Sequence, residues 1–159
     1  MENVAAYFCV NKHYRYTEED LQILLEVNKN DITKWCNENN MKCDFYVEYI
    51  DGTFQRNKRP ILKQLKKDIK DKNINTVVID NLYYLFESME ILVDFVNYAE
   101  EYNCEVKCID GTNVHGFKDI AQESLKNQKR EKNKKKKIEE ENYRWIMKKK
   151  LETQQTNLN

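Results

Sequence analysis

Side chains that could act as acids, metal ligands or nucleophiles stand at the ends of four short apolar runs. Cys9 and Asn11 close the first run, and Asp51, Asp80 and Asp110 follow the other three. Carboxylates that meet at one place can hold a divalent cation through their oxygens, and a thiol of lowered pKa can act as a nucleophile. Either chemistry requires a fold that brings the ends of these runs together.

Both chemistries have simpler interpretations. Cys9 alternates with Phe8 and Val10 in an apolar run, where burial would raise its thiol pKa, so we do not expect catalysis there. Acids after strands commonly cap turns, and no hydroxyl or basic partner completes a phosphohydrolase-like site, so we expect no metal and no cofactor. Cys104 and Cys108 lack histidine or cysteine partners at ligand spacing, which favours small core residues.

The odd number of cysteines and the short apolar run near residue 1, which polar residues precede, lead to our expectation about location. Five cysteines without C-x-x-C spacing favour free thiols in a reducing compartment. No run is long enough for a signal peptide or a membrane span. We therefore expect a cytoplasmic protein without membrane contact.

The apolar runs have the length of strands, and amphipathic stretches separate them. Thr17 with three following acids, Pro60 and Ser88 are typical of helix starts, whereas the polar stretch from Val27 to Asn30 could break the first helix. Asn39-Asn40 is typical of a helix end. Strands are predicted over 4–10, 45–50, 76–79 and 104–109, with helices between them.

The order β-α-β-α-β-α-β predicts an α/β fold for residues 1–117, in three layers around a four-stranded, mostly parallel sheet. Ligand sites in such sheets lie at the carboxyl ends of the strands. Here those ends are residues 10–13, 50–53, 80–87 and 110–115. This placement would unite the residues that could do chemistry.

Beyond residue 117 the sequence becomes charged and rich in helix formers. Residues 118–159 carry 13 basic and 7 acidic residues, whereas residues 1–117 carry 14 and 20, so a basic tail (+6) follows an acidic body (−6). We predict one long helix over 118–151 and a disordered tail over 152–159. A basic run that could contact DNA phosphates consists of Lys132, Lys134, Lys135, Lys136 and Lys137.

Four motifs, in order and spacing, resemble the catalytic domain of serine site-specific recombinases (resolvases and invertases). Tyr7-Phe8-Cys9-Val10-Asn11 is similar to the family's Tyr-x-Arg-Val-Ser, and Tyr49-Ile50-Asp51-Gly52-Thr53 to a shortened Tyr-x-Asp…Ser-Gly loop. Arg59-Pro60-Ile61-Leu62 resembles the start of the following helix. The stretch from Val77 to Glu87 resembles the third strand and its Leu-x-Arg-Leu-x-Arg turn.

The resemblance places different chemistry at the family's functional positions. The nucleophilic serine corresponds to Asn11, an amide that cannot form a phosphoserine link to DNA. The arginines correspond to Cys9, Tyr84 and Glu87, and the residue before the first turn arginine to Tyr83. Only Arg59 retains a cation. A carboxylate near a phosphate at ~4 Å would repel it by roughly 4 kcal/mol at an effective dielectric near 20.

These replacements lead us to expect a catalytically silent recombinase-like domain. The resemblance implies action as a homo-oligomer, or as a hetero-oligomer with an active recombinase, through the basic helix that could also contact DNA. One alternative is an active serine recombinase whose nucleophile lies elsewhere. Another is an unrelated flavodoxin-like binding module with a ligand cavity at the strand ends.

Overall fold

The computed structural model describes residues 2–12, 16–51, 58–72, 74–82 and 88–158. Within these residues, strands and helices alternate as the sequence predicts. The strands are β1 (Glu2–Asn11), β2 (Met41–Ile50), β3 (Thr76–Ile79) and β4 (Glu105–Cys108), and the helices are α1 (Glu18–Glu38), α2 (Pro60–Lys72), α3 (Met89–Glu101) and α4 (Val114–Leu158).

The four strands form one parallel sheet in the order β2-β1-β3-β4. β1 pairs with β2 along its whole length, from Glu2 with Met41 to Asn11 with Ile50. It pairs with β3 through Ala5 and Ala6, and β3 pairs with β4. Since every pairing is parallel, all four carboxyl ends lie at one edge of the sheet, as the predicted α/β class requires.

The helices cover both faces of the sheet. The chain moves outward from β1 to β2 through α1, and then in the opposite direction through α2 and α3. Because parallel crossovers are right-handed, this reversal places α1 on one face and α2 with α3 on the other. α2 and α3 contact each other, and the Tyr98 hydroxyl donates to the Lys66 carbonyl across 3.0 Å.

The centre of the core is the continuous apolar run of β1. Residues from Val4 to Phe8 are at most 2% exposed, which explains why this strand shows no alternation in sequence. Cys104 and Cys108 are buried in the same core, so their prediction as core residues is confirmed.

α1 runs without interruption through the polar stretch where the sequence allowed a break. Thr17 and Asp20 form a capping box: the Asp20 amide donates to the Thr17 hydroxyl, and the Thr17 amide donates to the Asp20 carboxylate. The buried Ile32 and Cys36 hold the second half of the helix on the sheet, and this packing outweighs the weak helix propensity of 27–30.

The tight end of α1 corrects the expectation that every cysteine is free. Asn39 caps the helix and Asn40 adopts a φ of 55°, so the predicted stop at these asparagines is confirmed. This short reversal brings Cys36 beside Cys43, and the two form a disulfide. Cys9, Cys104 and Cys108 are not part of a disulfide.

A buried carboxylate links α2 to β2. Asp68 accepts hydrogen bonds from the Tyr46 hydroxyl at 2.8 Å and from the Gln64 amide at 3.0 Å, and Lys72 lies 3.5 Å away. Burial alone would raise the pKa of Asp68, but these bonds and the nearby ammonium hold it below its ordinary value. Burial, with the bond to Asp68, raises the pKa of Tyr46 to about 12.

α4 is longer than the sequence predicts at both ends. The chain divides into two compact units, residues 1–122 and 123–159, whereas the sequence places a boundary at 117. The helix continues through 152–158, where we predicted disorder. There the Thr153 and Thr156 hydroxyls donate to carbonyls four residues earlier, and Lys149 pairs with Glu152, which satisfies polar groups within the helix.

In the part of the chain that the structure describes, no helix combines the length and apolarity that a membrane span requires.

Candidate functional site at the carboxyl edge of the sheet

Two of the residues that the sequence singles out, Cys9 and Asn11, lie at the carboxyl end of β1. Asn11 is the last residue of β1 and is half-buried, and Cys9 lies two residues earlier in register with Glu48 of β2. The Lys12 amide donates to the Ile50 carbonyl at 2.7 Å. This bond extends the parallel pairing one residue past Asn11 and keeps its backbone beside the end of β2.

Arg59 enters the site from the start of α2. Its carbonyl accepts the Lys63 amide at 3.0 Å, which makes Arg59 the N-cap residue of α2, and Pro60 occupies the first turn as predicted. The side chain is only 3% exposed. A guanidinium this deeply buried requires compensation by anionic or polar groups.

Glu48 caps the same helix from the neighbouring strand. Its carboxylate is 1% exposed and accepts the Ile61 amide at 2.9 Å and the Leu62 amide at 3.2 Å. These amides belong to the first turn of α2, whose N–H groups have no partner within the helix. The carboxylate thus occupies the end of the helix dipole that attracts anions.

Tyr7 completes what we call the Glu48 cluster: Tyr7, Glu48 and Arg59. The Tyr7 hydroxyl donates to Glu48 Oε1 at 3.3 Å. Burial, with smaller electrostatic contributions from Cys9 and Glu48, raises the pKa of Tyr7 far above its ordinary value, while Arg59 acts in the opposite direction. The phenol therefore remains a neutral donor, and the cluster joins one carboxylate, one guanidinium and one hydroxyl beneath the carboxyl edge.

Sequence reasoning missed Glu48. A signal for it exists: a charged residue stands between Val47 and Tyr49 in a predicted strand, and the helix that starts at Pro60 has no Ser, Thr, Asp or Asn directly before it to cap its amides. Recognising the cap requires knowledge that β2 passes the start of α2, and only the tertiary structure supplies that.

Asp80 and Asp110 follow the last residues of β3 and β4. Burial raises the pKa of Asp80. Bonds from Cys108 and Thr112 lower the pKa of Asp110, whose carboxylate accepts the Thr112 amide at 2.8 Å. Among the described residues no group of three or more His, Cys, Asp or Glu side chains could hold a metal ion. Asp110 instead stabilises the turn that Gly111, with a φ of 85°, makes possible.

Cys108 is buried between these two acids. Its thiol donates to the Asp80 carbonyl at 3.3 Å. Burial and a bond to Asp110 raise its pKa to about 12, which leaves almost no thiolate at neutral pH and makes the thiol a poor nucleophile.

His115 links the start of α4 to the outer edge of β4. Its Nε2 accepts the Val106 amide at 3.1 Å, and its Nδ1 lies 2.8 Å from Glu100 Oε1. Because Nε2 is an acceptor, the proton of the neutral ring is assigned to Nδ1. Lys118 contacts the other oxygen of Glu100 at 2.8 Å, and Lys118 and His115 together lower the pKa of Glu100.

The remaining predicted site residues divide into two groups. Lys132, Lys134, Lys135, Lys136 and Lys137 are exposed on α4, in the unit 123–159. Other residues named from the sequence lie outside the described residues: Gly52, Thr53, Tyr83, Tyr84 and Glu87.

Comparison with known proteins identifies the class to which this sheet and its edge belong. The family described as Resolvase, N terminal domain, matches residues 13–150, which is most of the chain. The protein therefore belongs to the resolvase N-terminal domain family, the catalytic-domain family of the serine recombinases. This membership excludes the alternative of an unrelated flavodoxin-like module. The match begins after Cys9 and Asn11.

Solved structures with this fold agree. The N-terminal catalytic domain of TP901-1 integrase aligns with a TM-score of 0.61 at 17% identity, over 82% of this chain and 98% of its own. A resolvase family site-specific recombinase from Streptococcus pneumoniae aligns with a TM-score of 0.54, also at 17% identity, over 86% of this chain and 98% of its own. A search of curated proteins finds no match.

Proposed function

We propose that this protein is a catalytically silent serine-recombinase-like domain of the cytoplasm that acts in DNA recombination by associating with copies of itself or with an active recombinase. Asn11 carries the proposal. It ends β1, where the resemblance places the nucleophilic serine, and its amide cannot form a phosphoserine bond to DNA.

The Glu48 cluster supports the same conclusion. Phosphoryl transfer depends on cations that position the phosphate and neutralise its charge. Arg59, the one cation that the resemblance retains, is 3% exposed and directly precedes α2, whose first amides already bind the Glu48 carboxylate. An internal anion thus occupies the helix end that could otherwise receive a phosphate.

The test is the formation of a covalent protein–DNA adduct. We would incubate the full chain with supercoiled plasmid DNA, denature the mixture with detergent and look for protein that stays attached to DNA. We expect no adduct. An adduct from the wild-type protein would overturn the proposal and favour the alternative, an active strand-exchange enzyme. Loss of the adduct in a Cys9→Ser variant would then identify the Cys9 thiol as the nucleophile. Loss of the adduct in Asn11→Ala would show that Asn11 is required for its formation.

We propose that DNA contact, where it occurs, involves the lysine run of α4. Lys134, Lys135 and Lys136 are exposed, and each lysine that neutralises a phosphate adds about 0.9 to the slope of log affinity against log salt. We expect the triple change of these lysines to Gln to lower that slope by roughly 2–3. A matched triple change on α2, at Lys63, Lys67 and Lys70, should leave it unaltered.

Equal losses in the two triple variants would contradict the assignment to α4. Association is tested separately by light scattering across a range of concentrations, with and without an active recombinase. A strict monomer under all these conditions would overturn the oligomeric part of the proposal.

A further inference from the structure

Cys36 and Cys43 join the end of α1 to the start of β2. Cys36 lies in the last turn of the helix, Cys43 is near the start of the strand, and the two form a disulfide across a sequence separation of 7. Disulfides rarely persist in a reducing cytoplasm, which is the compartment that we propose for this protein. Where two cysteines are placed to form one there, the pair usually responds to redox conditions.

The two sulfurs differ in accessibility. Cys36 is 1% exposed, whereas Cys43 is only partly buried. Thiol–disulfide exchange requires access to the sulfur that is attacked, so a small thiol or disulfide reaches Cys43 before Cys36. Cys104 and Cys108 are poor competitors, because burial raises the pKa of Cys104 to about 11 and is the main cause that raises the pKa of Cys108 to about 12. Little thiolate is then present at neutral pH.

The chain reversal between α1 and β2 lies at the surface, where residues 37–40 are exposed. The Trp35 carbonyl accepts the Asn39 backbone amide at 3.1 Å and the Asn39 side-chain amide at 2.8 Å. The last turn of α1 contains no basic residue, and Glu38 ends the helix, where the helix dipole disfavours a negative charge. The end of α1 is therefore weakly stabilised when its cross-link is removed.

We propose that Cys36 and Cys43 form a reversible redox switch: their disulfide fixes the end of α1 to β2, and its reduction releases this junction. The switch goes beyond the proposed role in recombination and rests only on the proposed cytoplasmic location. β2 is an edge strand with β1 as its one neighbour in the sheet. A disulfide that closes so short a loop constrains the unfolded chain less than one that closes a long loop, so we expect reduction to loosen the junction while the domain stays folded.

The oxidant is a small disulfide of the glutathione class. The Cys43 thiol loses its proton to solvent, and its thiolate attacks one sulfur of that disulfide. The small S–S bond breaks, a mixed disulfide forms at Cys43, and one small thiolate leaves. The Cys36 thiolate then attacks the Cys43 sulfur and displaces the second small thiolate. The two protein thiols lose two electrons, and the two small thiolates take up the two protons that the cysteines release.

Buffers with a graded ratio of reduced to oxidised glutathione test the switch in the full chain. After equilibration, acid stops the exchange, and alkylation followed by peptide mass spectrometry measures the fraction of Cys36 linked to Cys43. We expect this fraction to rise from nearly none to nearly all across the series. A pair that stays unlinked in the most oxidising buffer, or that stays linked in the most reducing one, would overturn the proposal.

Two single variants test which sulfur is attacked first. In Cys36→Ala, Cys43 should accumulate a mixed disulfide with glutathione. In Cys43→Ala, the buried Cys36 should accumulate at least about tenfold less, because access limits the exchange. Equal amounts of adduct in the two variants would contradict the assignment of Cys43 as the reactive sulfur and overturn the proposed sequence of steps.

Hydrogen exchange measures the release of the junction. We expect the backbone amides of Asn39 and Asn40 to exchange about tenfold faster or more in the reduced wild type than in the oxidised wild type. The double variant Cys36→Ala with Cys43→Ala should exchange at one rate in both buffers, and the matched control Cys104→Ala should keep the wild-type difference.

Equal exchange rates in the two redox forms of the wild type would overturn the switch. Loss of the helical circular dichroism signal on reduction would also overturn it, because the domain would then unfold rather than release one junction. The main comparison uses the wild type alone, so it does not depend on the folding of a variant. None of these measurements involves DNA, and failure of the switch therefore leaves the adduct test of the proposed function unaffected.

Discussion

Glu48→Ala should strongly destabilise the fold, because its buried carboxylate has several bonding partners near the carboxyl edge. The substitution removes the acceptor for two amides of α2 and for the Tyr7 hydroxyl, and it removes a buried negative charge from the cluster that contains Arg59, which is 3% exposed. Loss of a helix cap costs about 0.5–2 kcal/mol. Removal of one member of a buried charged set costs roughly 3–5 kcal/mol, and the cap is part of that loss.

We therefore expect the free energy of unfolding to fall by roughly 3–5 kcal/mol in Glu48→Ala. Glu48→Gln keeps an acceptor oxygen and the shape but loses the charge, so it should cost less, about 1–3 kcal/mol. Tyr7→Phe removes one bond to the carboxylate and should cost about 0.5–1.5 kcal/mol. Glu101→Ala, at an exposed position of α3, is the control and should change stability little.

Urea denaturation followed by circular dichroism measures these differences, and a double-mutant cycle measures the coupling. If Glu48 compensates Arg59, the double variant Glu48→Ala with Arg59→Met should be less destabilised than the sum of its single variants. Additive effects, or a loss below about 1 kcal/mol in Glu48→Ala, would refute the view that Glu48 holds the start of α2 and the buried guanidinium.

Three further predictions concern protonation. Because the pKa of Asp68 is lowered in the folded state, its carboxylate stabilises the fold above its ordinary pKa. This contribution should disappear as the pH falls through the folded-state pKa of Asp68. The difference in unfolding free energy between the wild type and Asp68→Asn, measured by urea denaturation, should therefore shrink in acid. A difference that stays constant with pH would contradict this prediction. The pKa of the Cys108 thiol is raised to about 12, so this thiol should resist iodoacetamide at pH 8 in the folded protein and react after unfolding. Mass spectrometry measures the labelling. Rapid labelling of the folded protein would contradict the buried position of Cys108. Nitrogen NMR should find the neutral His115 ring protonated at Nδ1, and an Nε2–H tautomer would contradict the hydrogen bond from the Val106 amide to Nε2. His115→Ala should speed hydrogen exchange at the Val106 amide.

Much of the sheet could be predicted from local patterns. The Thr76–Ile79 strand is short, β-branched and bounded by polar residues, and the structure places it over those residues. The β1 run lacks alternation because both of its faces are buried, and that property is readable from composition alone. The start of α2 at Pro60 follows from the fixed φ of proline.

Predictions were less accurate where distant groups decide the outcome. The disulfide between Cys36 and Cys43 depends on the tight reversal at Asn40, since spacing alone does not fix how two cysteines meet. The length of α4 was underestimated because a polar tail gives no periodic apolar signal, although the threonine and Lys149–Glu152 contacts satisfy its polar groups.

The sequence by itself determined the α/β order, the strand-end location of the candidate site and the residue types there, since periodicity, turn residues and side-chain chemistry are local properties. It therefore already specified an amide at Asn11, the residue that our proposal of a silent site rests on. Only the tertiary structure decided that Glu48 caps α2 beside Arg59 and that His115 binds the edge of β4. These contacts join residues from different elements, and burial makes them strong because few waters compete for the same donors and acceptors.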